Sequence, residues 1–493
     1  MTAGMAGLGD GSQLVLFVLV ISIVGGLTWW RTRSAHIRSQ NEDREYFLAG
    51  GSLTWIYVAG SITITNLGTE QLVGANGNQM LLLAWWELAA VFGLIILALV
   101  FVPIYYRYQC VTTTELLERR YNDDRIRTMI STLFMFGYLF ISMPSALYTG
   151  ALFLRSLFGI DISLVALGCG IAALGAGYGV LGGLRAVAIS ETFSGASLLV
   201  ICLVIVFLAL KAIGFDFTGI PAERLTLIGD GNSPIPWHTL LTGMIFIQIF
   251  YWSTNQAITQ RAMASPTVRE AQKGVLAAAV IRLMVVPAIV VLPGIVAYKL
   301  FGNIHDAAFG RLVGHVLPPW LAGTFAAILV TSVATHFVAI LNSAAALYVC
   351  DIHQKYVNFD ADVKRLNIGV SAVFIAVAIA LIPLYANALS IINLLQELNG
   401  LLSMPILSAF IVGLLFRNVD ARAAIAAVLF GISLYAFFTF VHAPFGLHYI
   451  HLIFVTLWLS IGFSLAVNRF VFGNKAELVR FWRRGEFAGA GRA

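Results

Sequence analysis

One apolar stretch of this chain, from about 53 to 77, is interrupted by polar residues and glycine at 64–71, where the sequence reads ITNLGTEQ. Glycine interrupts helices, and freed backbone groups are costly in hydrocarbon, so such a run persists only where it faces protein or a watery cavity. Broken helices whose carbonyls face an ion and whose side chains face a solute are typical of secondary transporters. This run is therefore the first candidate for a binding site.

Three other polar side chains lie within or at the edge of apolar stretches. Glu87 follows Trp85 and Trp86, and a carboxylate at that depth costs about 2.5–3.5 kcal/mol on insertion scales. It therefore either pairs with a neighbouring group or accepts hydrogen bonds from a solute beside the two indoles. Arg282 either pairs with a carboxylate or donates to a solute, and Gln396 either links two helices or binds solute. A sugar suits such a set, because its hydroxyls bind polar side chains and its C–H faces bind aromatic rings.

The composition places these residues in a membrane protein. Of 493 residues, 59% are hydrophobic and 11% are charged, with a mean hydropathy of +0.87, whereas soluble domains carry about 25% charged residues. Of the four scattered cysteines, Cys169 and Cys202 fall in apolar stretches, so a disulfide framework is not expected. The net charge of +6 does not indicate nucleic-acid binding, since the positive charges concentrate in alternate loops.

The apolar stretches are long enough to cross a bilayer about thirteen times. They begin near residues 13, 53, 80, 128, 163, 186, 237, 275, 319, 367, 389, 423 and 449. Loops on one side hold most of the 30 lysines and arginines, and the positive-inside rule places that side in the cytoplasm. We expect a multi-pass protein of the cell (inner) membrane with its N-terminus outside and its C-terminus in the cytoplasm, which an odd number of spans also requires.

Two blocks of five spans make up most of the single transmembrane transporter domain that we expect over 1–493. Because five is odd, the second block must be inverted relative to the first. Each block opens with an interrupted helix, at 64–71 and at 248–256, and paired broken helices indicate a binding site near the membrane midplane. The expected division is an extra N-terminal helix at 13–31, a first inverted repeat at 53–213, a second at 236–416, two extra C-terminal helices at 423–472 and a cytoplasmic tail at 473–493.

The sequence NLGTEQLVG at 66–74 resembles the first core helix of the sodium/solute symporter family, specifically of its sodium–glucose (SGLT-like) transporter branch. Further similarities follow in the family's order at 182–187, 251–272 and 341–352. The chain is thereby identified as a divergent member of this family. The resemblance implies an all-α integral membrane fold, a LeuT-like 5+5 inverted repeat with a broken first helix in each repeat, and transport by alternating access.

The resemblance also implies a sugar site whose members are spread over the two repeats. Hydrogen bonds to the sugar are expected from Gln71, Glu87, Gln248, Arg282 and Gln396, with Asn66 nearby, Tyr251 stacked beneath the sugar as an inner gate and Trp86 as an outer gate. The family usually has asparagine at position 248 and lysine at position 282. Because arginine keeps the charge of lysine but changes its reach and geometry, we expect a change in sugar identity or affinity.

The cation site implied by the resemblance departs from the family's pattern. Sodium would be held by the carbonyls of Ile64 and Leu67 and by Ser332 and Thr335, and His336 stands where the family has a serine hydroxyl. Sodium is a hard ion that prefers oxygen ligands, so imidazole is a poor replacement. Three hypotheses follow: the ring is turned away and sodium still binds, a proton on the imidazole takes the place of sodium, or the cation has been lost. A milder change, Glu191, replaces an aspartate that the family places on the sodium exit path.

These residues together predict a secondary transporter that imports a glucose- or galactose-like sugar, coupled to sodium or to a proton. The alternatives are an uncoupled sugar facilitator, a sodium symporter for a sialic acid, an amino acid or a carboxylate, and a sensor that binds sugar without moving it. The sequence shows no nucleophile–base pair, phosphate loop or metal-ligand spacing of the kind that would indicate an enzyme. The expected partners are the sugar and the lipid bilayer, without nucleic acid and without a cofactor beyond the coupling ion; the sequence leaves the oligomeric state open.

Overall fold

The computed structural model describes residues 51–65, 67–360, 362–386, 391–442 and 446–479, together with positions 19, 22, 23, 26 and 48. Within these ranges, the side chains of 64, 65, 178–194, 319 and 393 are not described. Asn66, the side chain of Glu191, most of the expected N-terminal helix at 13–31 and most of the tail at 473–493 therefore lie outside the described residues.

The described chain is almost entirely helical. Its main helices in chain order are α1 (Trp55–Thr65), α2 (Thr69–Gly77), α3 (Leu81–Arg107), α4 (Thr113–Tyr121), α5 (Asp124–Phe158), α6 (Leu164–Ala212), α7 (Ala222–Leu225), α8 (Gly243–Ile249), α9 (Gln256–Met263), α10 (Val268–Met284), α11 (Val286–Phe301), α12 (Ala308–Val316), α13 (Pro319–Tyr348), α14 (Val363–Tyr385), α15 (Ile391–Leu415), α16 (Ala421–Phe440) and α17 (Tyr449–Phe470). Two short strands, β1 (Phe416–Arg417) and β2 (Glu477–Leu478), pair antiparallel.

Nine helical stretches in the described part of the chain are long and apolar enough to cross a membrane. The two helices that begin near 53 and 237 fall below that length because each is divided by a break. Residues 164–212 form one continuous helix of 49 residues, where the sequence predicts two spans. This stretch contains no proline, and glycine within a helix costs only about 1 kcal/mol, so nothing in it forces a turn.

Both predicted breaks are present. Helix α1 ends at Thr65, and α2 begins at Thr69 after Gly68, whose backbone is extended. Helix α8 passes into a π-helical turn over Phe250–Thr254 and stops at Asn255, which is also extended. The Asn255 side chain accepts a hydrogen bond from the backbone N–H of Ala257 and so caps α9. Both helices are thus interrupted within the segments that the sequence predicts.

Helix α13 is the most enclosed of the spans, since 94% of its most apolar window is buried. It packs against α5, α6 and α14, while α1 packs against α10, and α16 and α17 pack together against α15. The residues of α13, which include three candidate cation ligands, therefore face protein on nearly every side.

The loop after α6 lies against the ends of two helices near the candidate site. Arg224 donates hydrogen bonds to the carbonyls of Asn78 and Gln79, each at 3.2 Å. The indole N–H of Trp85 donates to the carbonyl of Leu227 at 2.7 Å. This loop therefore holds both the turn after α2 and the start of α3, where Trp85 and its neighbour are located.

Helix α3 comes close to the second broken helix at Gly93. A Cβ atom at this position would lie 2.3 Å from the carbonyl oxygen of Gln248 and 2.9 Å from Cβ of Trp252. The hydroxyl of Ser253 donates to the carbonyl of Gly93 at 2.9 Å. Only glycine permits this approach, because any side chain would meet backbone that cannot move alone.

We expect Gly93→Ala to destabilise the protein by about 1–3 kcal/mol, the usual cost of overpacking a close contact. Thermal unfolding of the purified protein measures this change. The matched control is Gly462→Ala, a helical glycine whose Cβ would meet nothing within 4 Å, and it should leave the melting temperature unchanged or raise it. Equal melting temperatures for both variants would show that the α3 contact is not tight.

Candidate functional site

A cavity with about 670 Å³ of empty volume lies where the two broken helices meet. Five of the predicted sugar-site residues line it: Gln71, Trp86, Gln248, Tyr251 and Gln396. The other described lining residues are Glu70, Ile247, Phe250, Trp252, Ile392, Leu395, Asn399 and Ser403. The cavity thus combines amide and hydroxyl groups with aromatic surfaces, which is the mixture expected for a site that binds a polar organic solute.

Three polar lining residues were not predicted from the sequence. Asn399 and Ser403 follow Gln396 on α15 at spacings of three and seven residues, which places all three side chains on one face of the helix. Given Gln396 as a candidate, this spacing would have allowed Asn399 and Ser403 to be predicted from the sequence. Glu70 lies beside Gln71 in the first broken segment, and it faces the same cavity.

Glu87 and Arg282 pair with each other. Arg282 Nη2 lies 2.5 Å from Glu87 Oε2, and both side chains are buried, at 0% and 1% exposure. Arg282 also donates to the carbonyl of Thr63 at 3.1 Å and stacks over the indole of Trp252, at 4.5 Å from the ring centroid. The pair therefore lies behind the described cavity lining, and its opposite charges neutralise each other there.

Gln248 joins two aromatic residues of the cavity wall. Its Nε2 donates to the carbonyl of Trp86 at 2.7 Å, and its Oε1 accepts from the indole N–H of Trp252 at 2.9 Å. With only 5% of its surface exposed, Gln248 holds Trp86 in place as well as facing the cavity. A solute in the cavity would therefore meet aromatic side chains, of which the Trp252 indole is fixed by its hydrogen bond to Gln248.

A second cavity, with about 710 Å³ of empty volume, adjoins the first. The two share Glu70, Phe250, Tyr251, Leu395 and Asn399 as lining residues. The second cavity extends along α5 and α13 and reaches further polar side chains, namely Tyr138, Ser142, Ser145, Asn255 and His336. Tyr251 therefore stands at the boundary of two cavities, the position in which an aromatic side chain can act as a gate.

One of the candidate cation residues, His336, contacts the first broken segment. The His336 ring packs against Gly68, at 3.6 Å from the position that a Cβ would occupy. Its Nε2 atom lies 3.9 Å from Glu70 Oε2, and Glu70 also accepts a hydrogen bond from the hydroxyl of Ser145. His336, which stands where the family has a serine, is thus turned towards the carboxylate of Glu70.

The two hydroxyl residues on α13 differ in their hydrogen bonding. Thr335 Oγ1 donates to the carbonyl of Ser332 at 3.0 Å. Ser332 Oγ is buried and has no hydrogen-bond partner among the described residues. A buried hydroxyl without a partner is costly, so Ser332 Oγ is free to act as an oxygen ligand. Leu67 is also fully buried at this end of the break, whereas the side chain of Ile64 is not described.

The profile of the Sodium:solute symporter family matches residues 46–431. The "Uncharacterized symporter YidK" of Escherichia coli (strain K12) is 34% identical over 481 residues, which cover 92% of this chain and 83% of that protein. The "Sodium/glucose cotransporter" of Vibrio parahaemolyticus is 29% identical over 466 residues, which cover 87% and 85%. Both similarities extend over nearly the whole chain.

Two solved structures show the same fold. An outward-open, substrate-bound Na+-coupled sialic acid symporter aligns with a TM-score of 0.79 at 16% identity, covering 95% of this chain and 99% of that chain. MhsT in complex with L-phenylalanine aligns with a TM-score of 0.52 at 13% identity, covering 87% and 99%. The predicted LeuT-like all-α fold is thereby confirmed. The profile match and the sequence relatives show that this chain belongs to the sodium:solute symporter family and is a membrane-embedded symporter, not an enzyme.

Proposed function

We propose that this symporter imports a neutral sugar, such as glucose or galactose, by alternating access. The observation that carries the proposal is the lining of the first cavity. Gln71, Gln396 and Asn399 present amides beside the rings of Trp86 and Tyr251. Amides donate and accept hydrogen bonds as sugar hydroxyls require, and aromatic rings bind the apolar faces of a pyranose.

Charge argues against an anionic solute. The described lining of the two cavities includes neither lysine nor arginine. Two buried arginines lie behind this lining: Arg282 pairs with Glu87 and stacks on Trp252, and Arg261 donates to the carbonyl of Ala257 and to the hydroxyl of Ser61. A carboxylate solute would therefore enter next to Glu70 with no lysine or arginine in the described lining to offset the repulsion. This favours a sugar over a sialic acid or another carboxylate.

The names of relatives support the same solute class. Besides the Vibrio parahaemolyticus protein, the human "Sodium/myo-inositol cotransporter 2" is 27% identical over 475 residues. Glucose and myo-inositol are both neutral rings bearing several hydroxyls. The cavity lining of this chain has the groups that such a ring would need.

The proposed transport cycle uses the division into two inverted repeats, at 53–213 and 236–416. The repeats rock around the solute, with Trp86 closing the outer side and Tyr251 the inner side. One coupled positive charge contributes about 2.3 kcal/mol per 100 mV of membrane potential, which corresponds to a roughly fifty-fold accumulation of solute.

The coupling cation is proposed to bind between the end of α1 and α13. The free oxygen of Ser332 supports sodium binding there, and the family name indicates sodium. His336 favours a second candidate, because its Nε2 faces Glu70 Oε2 at 3.9 Å. A proton held by this pair would supply the single positive charge that sodium otherwise supplies. The two repeats would rock in the same way.

Uptake of labelled glucose, galactose and myo-inositol into proteoliposomes tests the proposal. Each sugar is offered with an inward sodium gradient, an inward proton gradient or no gradient. We expect saturable uptake of at least one sugar, accelerated by one of the two gradients. Uptake of sialic acid or an amino acid with none of the three sugars would overturn the sugar assignment.

The variant His336→Ser separates the two cations. It restores the hydroxyl that the family has at this position, so sodium dependence should be retained or strengthened if sodium is the coupling ion. If a proton is the coupling ion, His336→Ser should abolish the stimulation by the proton gradient. Equal uptake under all three conditions in the unmodified protein would instead show an uncoupled facilitator.

A further inference from the structure

Asn76, near the end of the first broken helix, uses its side chain to bind a helix of the other half of the chain. Its Nδ2 donates to the carbonyls of Leu72, at 2.8 Å, and Ile289, at 3.3 Å. Its Oδ1 accepts from the backbone N–H of Gly294 at 2.7 Å. The residue is fully buried, so these bonds are made in a water-free environment, where an unpaired polar group is costly.

One of the two partner groups on α11, the carbonyl of Ile289, is available because of Pro293. In an α-helix the carbonyl of Ile289 would accept from the N–H of residue 293, and proline has no N–H. Pro293 lies inside α11, so the carbonyl of Ile289 loses its helical donor. Asn76 supplies that donor from another helix, and thereby repairs the break in α11.

Gly294 allows the two helices to approach. A Cβ atom at Gly294 would lie 2.3 Å from the carbonyl oxygen of Asn76 and 2.8 Å from its Cα. The contact is therefore backbone against backbone, with the amide of Asn76 bridging it. Sequence alone does not relate these residues, since about two hundred positions separate them.

Helix α2 depends on such contacts for its orientation. It has nine residues, and its N-terminal end is free of α1 because of the break at Gly68. Gln71 lies five residues before Asn76, about 7.5 Å along the helix axis at 1.5 Å per residue. The near end of α2 is bound to α5 through Thr69 with Thr149, at 2.8 Å, and through Glu70 with Ser145. The position of Gln71 in the cavity wall is thus set by both ends of α2, and Asn76 holds the far one.

We propose that Asn76 is a positioning residue for transport: by bridging α2 to the proline break of α11, it makes the two helices move as one body and holds Gln71 at the cavity. The proposal concerns the mechanics of the symporter and holds for any solute. It predicts that removal of the amide releases α2, even when the fold of α11 is restored by other means.

The test measures the position of α2 without solute. In full-length protein purified in detergent, Gln71→Cys is introduced after the native cysteines are replaced by serine, at Cys110, Cys169, Cys202 and Cys350. The rate at which N-ethylmaleimide labels the introduced thiol is then compared with and without Asn76→Ala. We expect Asn76→Ala to raise the labelling rate about fivefold, because the net loss of one hydrogen bond costs about 1 kcal/mol. The melting temperature should fall as well.

Pro293→Ala separates positioning from helix repair. An alanine at position 293 brings the backbone N–H that Ile289 lacks, so it should restore the melting temperature of Asn76→Ala. The labelling rate should stay raised, because the bridge to α2 is still missing. Should Pro293→Ala restore both quantities, or Asn76→Ala leave the labelling rate unchanged, the proposal is overturned.

The proposal can also be tested if the single variant Asn76→Ala does not fold. The labelling rate of Pro293→Ala is then compared with that of Pro293→Ala combined with Asn76→Ala, and the predicted difference is again about fivefold. The matched control is Asn78→Ala. Asn78 Nδ2 donates to the carbonyl of Gly74 within its own helix, at 3.3 Å, so its removal should not change the rate.

Discussion

We expect solute uptake to fall to background in Gln71→Ala, while the protein still folds and reaches the membrane. Gln71 lies on the first broken helix and lines the cavity between the two halves. Alanine at this position leaves a solute hydroxyl without its partner. The loss of about 1–3 kcal/mol from such an unpaired group corresponds to roughly 5- to 150-fold in affinity.

Uptake of the sugar that the unmodified protein transports, normalised to the amount of folded protein in the proteoliposomes, measures this effect. Asn78→Ala on the same segment is the control, because it removes an amide that bonds its own helix. Normal uptake by Gln71→Ala would exclude α2 from the solute site. Lost uptake in both variants would indicate a general disturbance of this segment.

The second large effect is expected on stability, from Glu87→Ala. This change leaves the guanidinium of Arg282 buried without its carboxylate, and breaking a buried ion pair from one side costs about 3–5 kcal/mol. That is a large part of the 5–15 kcal/mol by which proteins are usually stable. Arg282→Ala should have a similar effect, and the double variant should lose less than the sum of the two.

Thermal unfolding of detergent-purified protein, read by size-exclusion chromatography, gives the four melting temperatures of this cycle. Arg365→Ala is the matched control, since Arg365 pairs with Asp362 at 3.2 Å on the surface with 89% of its side chain exposed. Its effect should stay within about 0.5 kcal/mol. Strictly additive losses, or a stable Glu87→Ala that has lost only uptake, would contradict a structural role and return Glu87 to the solute site.

The sequence predicted the helical breaks because their signal is local. Glycine and polar residues within an apolar stretch are readable at 64–71 and 248–256, and the structure breaks its helices at Gly68 and Asn255. The fold class and the family follow from the same segments together with the pattern of spans. The single long helix at 164–212 was not predicted, because glycine-rich sequence is compatible with both a turn and a helix.

The candidate site was predicted in part. Gln71, Trp86, Gln248, Tyr251 and Gln396 line one cavity, and their roles in sugar binding stay predictions. The sequence left open whether Glu87 and Arg282 bind solute or each other. The structure pairs them, at 2.5 Å across 195 positions of the chain. The polar face that continues from Gln396 to Asn399 and Ser403 also became visible only once one helix was known to border the cavity.

By itself, the sequence determined that this protein crosses a membrane, where its helices break and to which family it belongs, because hydropathy and backbone preferences act over a few neighbouring residues. Only the tertiary structure decided which buried polar groups satisfy one another: Glu87 with Arg282, and Asn76 with the backbone around Pro293. In a membrane each such group needs a partner. Which partner it finds depends on how distant helices pack, and spacing along the chain does not carry that information.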